Sequence, residues 1–141
     1  MEIAGYGGNT LRVNLTTGEV KKEPLDRELA ESYIAGSGMA QKLAYDFIPA
    51  GVDPWAPEAP IIICPGLLNG TLAPSSPKVI MVTKDPASGA IVPWFGSLHF
   101  GPKLKWAGYD AVIITGKAPK PVYLRIKDDD VELVDAGDLW G

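Results

Sequence analysis

The sequence predicts an α+β domain with a mixed or mainly antiparallel sheet and short helices. Three observations carry this. Strand-like and helix-like stretches are interspersed without the regular alternation that builds a parallel βαβ sheet. A hairpin is legible near each end of the chain. Sixteen glycines and thirteen prolines among 141 residues, with no low-complexity run, mark numerous tight turns. The length suits one domain spanning residues 1–141.

The elements follow in order. Leu11, Val13 and Leu15 alternate with polar residues, Thr17-Gly18 supplies a turn, and Val20 lies in the return strand. Asp26 has the chemistry of a helix N-cap, and Glu28 and Glu31 suit the positive end of a helix running to about Ala35. "GSG" at 36–38 is expected to break it before a second helix over 39–47, with Met39, Leu43 and Phe47 on one face. Residues 48–60 are rich in proline and glycine and read as a surface loop. "IIIC" at 61–64 reads as a buried strand, 65–77 as an irregular loop, and "KVIMVTK" at 78–84 as a strand. After a turn at 85–89, a short strand over 90–95 is expected to lose regular pairing at Pro93. Phe100 to Ala107 reads as a helix, with Gly101-Pro102 in its first turn and Gly108 just past its end. A strand at 110–116 and a hairpin of 121–127 with 131–135, turning at Asp128–Asp130, complete the chain.

Composition excludes several classes. A net charge of −4 argues against non-specific nucleic-acid binding, which needs a basic face. No apolar run approaches the ~18 residues of a membrane helix. The N-terminus lacks the regions of a secretory signal, and the one cysteine, Cys64, forms no internal disulfide, so a cytoplasmic location is expected. His99 is the only histidine, which leaves no catalytic triad and, with one cysteine, no protein metal cage. No Walker loop or dinucleotide fingerprint is present. Two segments, "GLLNGTLAPSSPK" and "FGSLHFGPK", place small residues beside Lys78 and Lys103. Free amides and a cation in such loops suit an anionic ligand such as a phosphate, and as plain turns they need none. Trp94, Phe100 and Trp106 read as core side chains, Cys64 as a small buried hydrophobe, and His99 as a ring beside a helix start.

The same segments resemble the N-terminal domain of the tungsten-containing aldehyde ferredoxin oxidoreductases. "LRVNLTTGEVKKEPLDRELAESYIAGSGMA" is similar to the family's opening hairpin and helix. "GVDPWAPEAPIIICPGLLNGTLAPSS" and "DAGDLWG" also match family stretches. "FGPKLKWAGYDAVIITGKAPKPVYLRI" follows the family signature most closely. The match runs in order through nearly the whole chain.

That resemblance implies one half of a duplicated α+β domain, on which a tungstopterin or molybdopterin lies with a magnesium ion between the pterin phosphates. It implies oxidation of aldehydes to carboxylic acids, with ferredoxin as electron acceptor. A related benzoyl-CoA reductase subunit applies the scaffold to a reduction. By position, the family's phosphate-contacting arginine falls on Lys78. The residue offering a backbone carbonyl to magnesium falls on Phe95, and the glycine-rich contact loop on Gly96, Ser97 and Leu98. Serine and leucine replace two family glycines there. The iron–sulfur cluster ligands and the second half of the site have no counterpart in this chain. The expected partners are therefore the remaining oxidoreductase domain or subunit, with ferredoxin reached indirectly, or a second copy of the chain. In the latter reading the chain is a cofactor-free module that homodimerises as a scaffold or assembly protein.

Overall fold

Leu11 and Val13 are fully buried, and Arg12 between them is exposed. This is the period-two burial of a strand with one face on a core. A computed structural model describes residues 3–141. The strand is β1 (Asn9–Asn14), and its hairpin partner is β2 (Glu19–Pro24). Next come α1 (Arg27–Tyr33), α2 (Ser37–Phe47), β3 (Ile61–Pro65), β4 (Val79–Lys84) and β5 (Ile91–Gly96). The chain finishes with α3 (Phe100–Trp106), β6 (Tyr109–Thr115), β7 (Val122–Lys127), β8 (Asp130–Asp135) and a 3-10 turn at Gly137–Leu139.

Six strands form one sheet in the order β2-β1-β6-β3-β4-β5, while β7 and β8 pair separately. Only the β1–β6 pairing is parallel, and every other pairing among these strands is antiparallel. The fold is thus α+β with an antiparallel-dominant mixed sheet and short helices. On one face, Met39, Leu43 and Ala44 of α2 pack over Ile62, Cys64, Ile80, Val82 and Ile113. On the other, Leu11, Val13 and Val112 meet Leu104 of α3 and Leu124, Ile126, Val131 and Leu133 of the β7–β8 hairpin. Burying one such aliphatic side chain contributes about 1.5–3 kcal/mol. Cys64 lies fully inside the first cluster, where desolvation pushes its thiol well above the usual range.

Three details depart from the sequence reading. Gly36 caps α2 at φ 73°, so Ser37 and Gly38 open the second helix and do not separate the two. A Cβ at Gly38 would stand 2.0 Å from the Tyr33 carbonyl, so glycine lets α2 begin directly against the end of α1. Pro93 does not end pairing: it stands opposite Val82, and β5 continues to Gly96. β5 is the outermost strand, so a residue without an N–H costs no ladder bond on its open side. Trp94, Phe100 and Trp106 are not core residues, being 38%, 52% and 68% exposed. The layer of α3 and the β7–β8 hairpin covers β1 and β6 and leaves Met81 of β4 and its cross-strand neighbour Trp94 open.

Candidate functional site

β3 and β5 both finish opposite the first residue of β4, since Pro65 and Gly96 each pair with Val79. The loop 66–78 and the loop after Gly96 therefore leave the sheet side by side. Lys78 before β4 and Phe95, Gly96 and Ser97 at the end of β5 thus meet at the open end of the β4–β5 hairpin.

The first loop is held from within by Asn69, which is 2% exposed. Its amide donates to the carbonyls of Gly66 at 3.2 Å and Lys78 at 2.5 Å. The Gly66 N–H also donates to the Lys78 carbonyl, at 3.0 Å. The Lys78 main chain is thereby clamped while its side chain stays exposed. α3 braces the loop from beneath: the Trp106 indole N–H donates to the Gly70 carbonyl at 3.1 Å. Gly101 is buried against Asn69, and a Cβ there would approach Asn69 Oδ1 to 2.6 Å. That Oδ1 is buried and accepts no hydrogen bond. Sequence reasoning missed Asn69; an asparagine inside a glycine-rich loop was its only signal.

The second loop begins on the strand. The Asp85 N–H donates to the Ala90 carbonyl at 2.8 Å, which sets the phase of the β4–β5 ladder. By antiparallel alternation, Gly96, Trp94 and Val92 then exchange hydrogen bonds with β4, while Pro93 and Phe95 turn their backbone groups to the open edge. The phase explains why proline is accepted at 93, and it leaves the Phe95 carbonyl free. The Phe95 side chain is 64% exposed. A Cβ at Gly96 would come within 3.0 Å of Val79. Leu98 holds φ 73°, a left-handed conformation that glycine adopts without strain and leucine does not. Ser75, in the facing loop, holds φ 58°. Among the described residues nothing accepts a hydrogen bond from the amides of Ser75, Ser97 or Leu98.

Free amides, one exposed ammonium and no acidic side chain between 66 and 78 or between 95 and 100 make a set suited to an anion. The exposed Phe95 and Leu98 side chains add an apolar lip. His99 is exposed at the start of α3. Lys103 stands one turn farther along and is exposed. Among the described residues no three His, Cys, Asp or Glu side chains gather as metal ligands, and no helix is long and apolar enough to cross a membrane.

Behind the two loops lies a buried ion pair that the sequence did not signal. Asn9 pairs with Tyr109 and Thr10 with Ala111, so Asp110 is an extra residue in the β1–β6 ladder. Its fully buried carboxylate accepts from the amides of Gly7 at 2.9 Å and Gly8 at 2.7 Å. The Lys105 ammonium donates to it at 2.7 Å and sits 5.0 Å from the centre of the Tyr6 ring. One carboxylate thus ties the N-terminal segment, α3 and β6 together.

The sequence profile of the aldehyde ferredoxin oxidoreductase N-terminal domain matches residues 10–141. The chain is 44% identical over 137 residues to the tungsten-containing aldehyde ferredoxin oxidoreductase of Pyrococcus furiosus, covering 97% of this chain and 23% of that protein. It is 45% identical, with the same coverage, to the corresponding enzyme of Thermococcus kodakarensis. The active-site complex BamBC of benzoyl coenzyme A reductase, solved with 1,5-dienoyl-CoA, contains a chain that superposes with a TM-score of 0.93 at 36% identity. That superposition covers 96% of this chain and 21% of the larger one. The chain thus spans about a quarter of the length of the curated relatives it matches. With the profile covering all but its first nine residues and an identity this high, the chain belongs to the aldehyde ferredoxin oxidoreductase N-terminal domain family.

Proposed function

We propose that this chain is the part of a tungsten- or molybdenum-pterin oxidoreductase that supports one side of the pterin cofactor. The observation that carries the reading is the meeting of Lys78 with the Phe95–Leu98 segment at one end of the sheet. Family membership puts the pterin class forward, and the acid-free set of donors fits a phosphate-bearing ring system.

In this reading Lys78 pairs with phosphate oxygens as a point charge, without the bidentate fork of an arginine. The amides of Ser97 and Leu98 donate to the ligand, and Gly96 keeps side-chain atoms out of its path. The Phe95 carbonyl, free on the strand edge, is the acceptor available to magnesium. The left-handed backbone at Leu98 supports this assignment. The resemblance places a glycine there, and the conformation suited to glycine persists although the side chain has changed. Leu98 is 70% exposed, so its side chain stands away from the core and forms an apolar border to the site. Bound tungsten or molybdenum dithiolene supplies the two-electron chemistry, with aldehyde oxidation to a carboxylic acid and ferredoxin as acceptor in the family's usual form. This chain's residues orient the cofactor and neutralise its charge, and a further domain or subunit provides the cluster and the other side of the site.

Lys78→Ala tests the assignment. Loss of one charge-assisted hydrogen bond of about 1.5–3 kcal/mol should weaken cofactor retention tenfold or more. Thermal stability of the cofactor-free protein should stay within about 0.5 kcal/mol, because the side chain is exposed. Unchanged pterin and metal content in the variant after anaerobic purification would remove Lys78 from the site.

One observation favours a second reading, a cofactor-free module that pairs with itself. Trp94, Phe95, Leu98, Phe100 and Trp106 are all exposed around β5 and the start of α3, and apolar surface of this kind commonly marks a contact. That reading requires a dimer in light scattering at high concentration, and a strict monomer contradicts it.

A further inference from the structure

The Asn69 side chain makes hydrogen bonds that its acceptors do not need. The Gly66 carbonyl, which the carboxamide reaches at 3.2 Å, already accepts from the Asn69 main-chain N–H at 3.1 Å. The Lys78 carbonyl, reached at 2.5 Å, already accepts from the Gly66 N–H at 3.0 Å. The carboxamide is therefore a second donor on two carbonyls that are satisfied without it. Its own oxygen fares worse, because Oδ1 is buried and has no hydrogen-bond partner among the described residues. The group cannot reverse to relieve this, since Oδ1 would then face both carbonyl oxygens. An unpaired buried acceptor offsets much of what two redundant bonds contribute. Stability alone gives little reason for an asparagine here.

What the side chain does supply is position. It is gripped between two glycines: a Cβ at Gly66 would stand 3.1 Å from Nδ2, and one at Gly101 2.6 Å from Oδ1. Held in this way, it fixes the Lys78 carbonyl from inside the loop. From the other direction, the Lys78 N–H donates to the Ser76 carbonyl at 2.7 Å. Both main-chain groups of Lys78 are thus engaged one residue before β4 begins, and only its exposed side chain is left to move. That side chain carries its charge on a flexible four-carbon stem. Ordering such a stem against an anion costs less when the main chain it starts from is already fixed.

We infer that Asn69 is a positioning residue for the Lys78 ammonium. It touches no ligand itself, and it acts on retention of the phosphate-bearing cofactor only through Lys78. The inference rests on the reading of Lys78 as a phosphate contact, and it adds the residue that aims that contact.

A double-mutant cycle of Asn69→Ala and Lys78→Ala, made in the full natural protein and purified anaerobically, tests it. Two quantities are read for each of the four proteins: the rate at which pterin is lost on dialysis, and the midpoint of denaturant unfolding. Lys78→Ala should speed the loss about tenfold or more. Asn69→Ala should speed it about three- to tenfold, the scale of leaving one charged side chain to be ordered on binding. The double variant should lose pterin no faster than Lys78→Ala, within about twofold. Unfolding should behave differently: Asn69→Ala should shift the midpoint equally in both backgrounds, because the Lys78 side chain is exposed. Asn69→Ser keeps one donor and should fall between wild type and Asn69→Ala, and it replaces Asn69→Ala in the cycle if that variant does not fold. Wild-type retention in Asn69→Ala overturns the inference and leaves the pterin assignment standing. So does a double variant whose loss rate is the product of the two single effects. Unchanged retention in Lys78→Ala overturns both the inference and the assignment of Lys78.

Discussion

Asp110→Ala should lower the stability of the protein by about 3–5 kcal/mol, a large share of what a domain of this size possesses. The substitution removes an acceptor that serves three donors. Lys105, whose side chain is 8% exposed, keeps its charge and loses its partner, and the Gly7 and Gly8 amides lose theirs. Breaking one side of a buried pair costs far more than the pair contributes when intact, because the remaining charge is stranded. Chemical denaturation should show the loss as a lower midpoint, and thermal unfolding as a fall of more than about 10 °C. Lys105→Met in the Asp110→Ala background should add little further cost, since the stranded charge is gone, and the pair's coupling can be read from that cycle. A loss below about 1 kcal/mol in the single variant would mean that water reaches these atoms and that the N-terminal segment is not anchored through them.

Gly101→Ala should destabilise by about 1–3 kcal/mol, the usual cost of forcing atoms into a packed site. The new methyl group would meet Asn69 Oδ1 at 2.6 Å, and Asn69 is not free to retreat. Its amide is fixed on the Gly66 and Lys78 carbonyls, so any shift pulls on the main chain beneath Lys78. The variant should therefore lose cofactor retention as well as stability, although Gly101 itself is buried behind the loop. Combining it with Asn69→Ala should give less than the sum of the two costs, because the clash and the clamp share one side chain. Strict additivity, measured by denaturant titration of the four proteins, would show that the contact is not what makes glycine necessary.

What the sequence disclosed was local. The β1–β2 hairpin follows from alternation at Leu11, Val13 and Leu15 and a turn at Thr17-Gly18, and α3 ends where Gly108 takes φ 90°. Both signals sit within a few residues of what they determine. The beginning of α2 is not legible in the sequence, because the reason for Gly38 lies in the carbonyl of Tyr33, a packing contact with the preceding helix that no propensity scale contains. Trp94, Phe100 and Trp106 read as core and are exposed, because hydrophobicity states a preference for burial and not whether a layer covers that part of the sheet. The parallel β1–β6 pairing joins segments about a hundred residues apart, and Asp110 is buried only because of the irregularity in that pairing. Within the candidate site, the loops before Lys78 and around Phe95–Leu98 are legible as small-residue segments beside a lysine, and the resemblance adds the roles of their residues. Asn69, Gly101 and the outward carbonyl of Phe95 emerge only once the β3, β4 and β5 ladders are in register.

The most direct measurement of the central claim is the metal and pterin content of the protein purified anaerobically from its native host. Tungsten or molybdenum together with pterin, at a stoichiometric level and diminished in Lys78→Ala, is the result expected if the loops beside β4 hold the cofactor. A protein purified with its natural partners intact, yet holding neither metal nor pterin, would contradict the claim and leave the exposed surface around Phe95 and Leu98 as a protein contact.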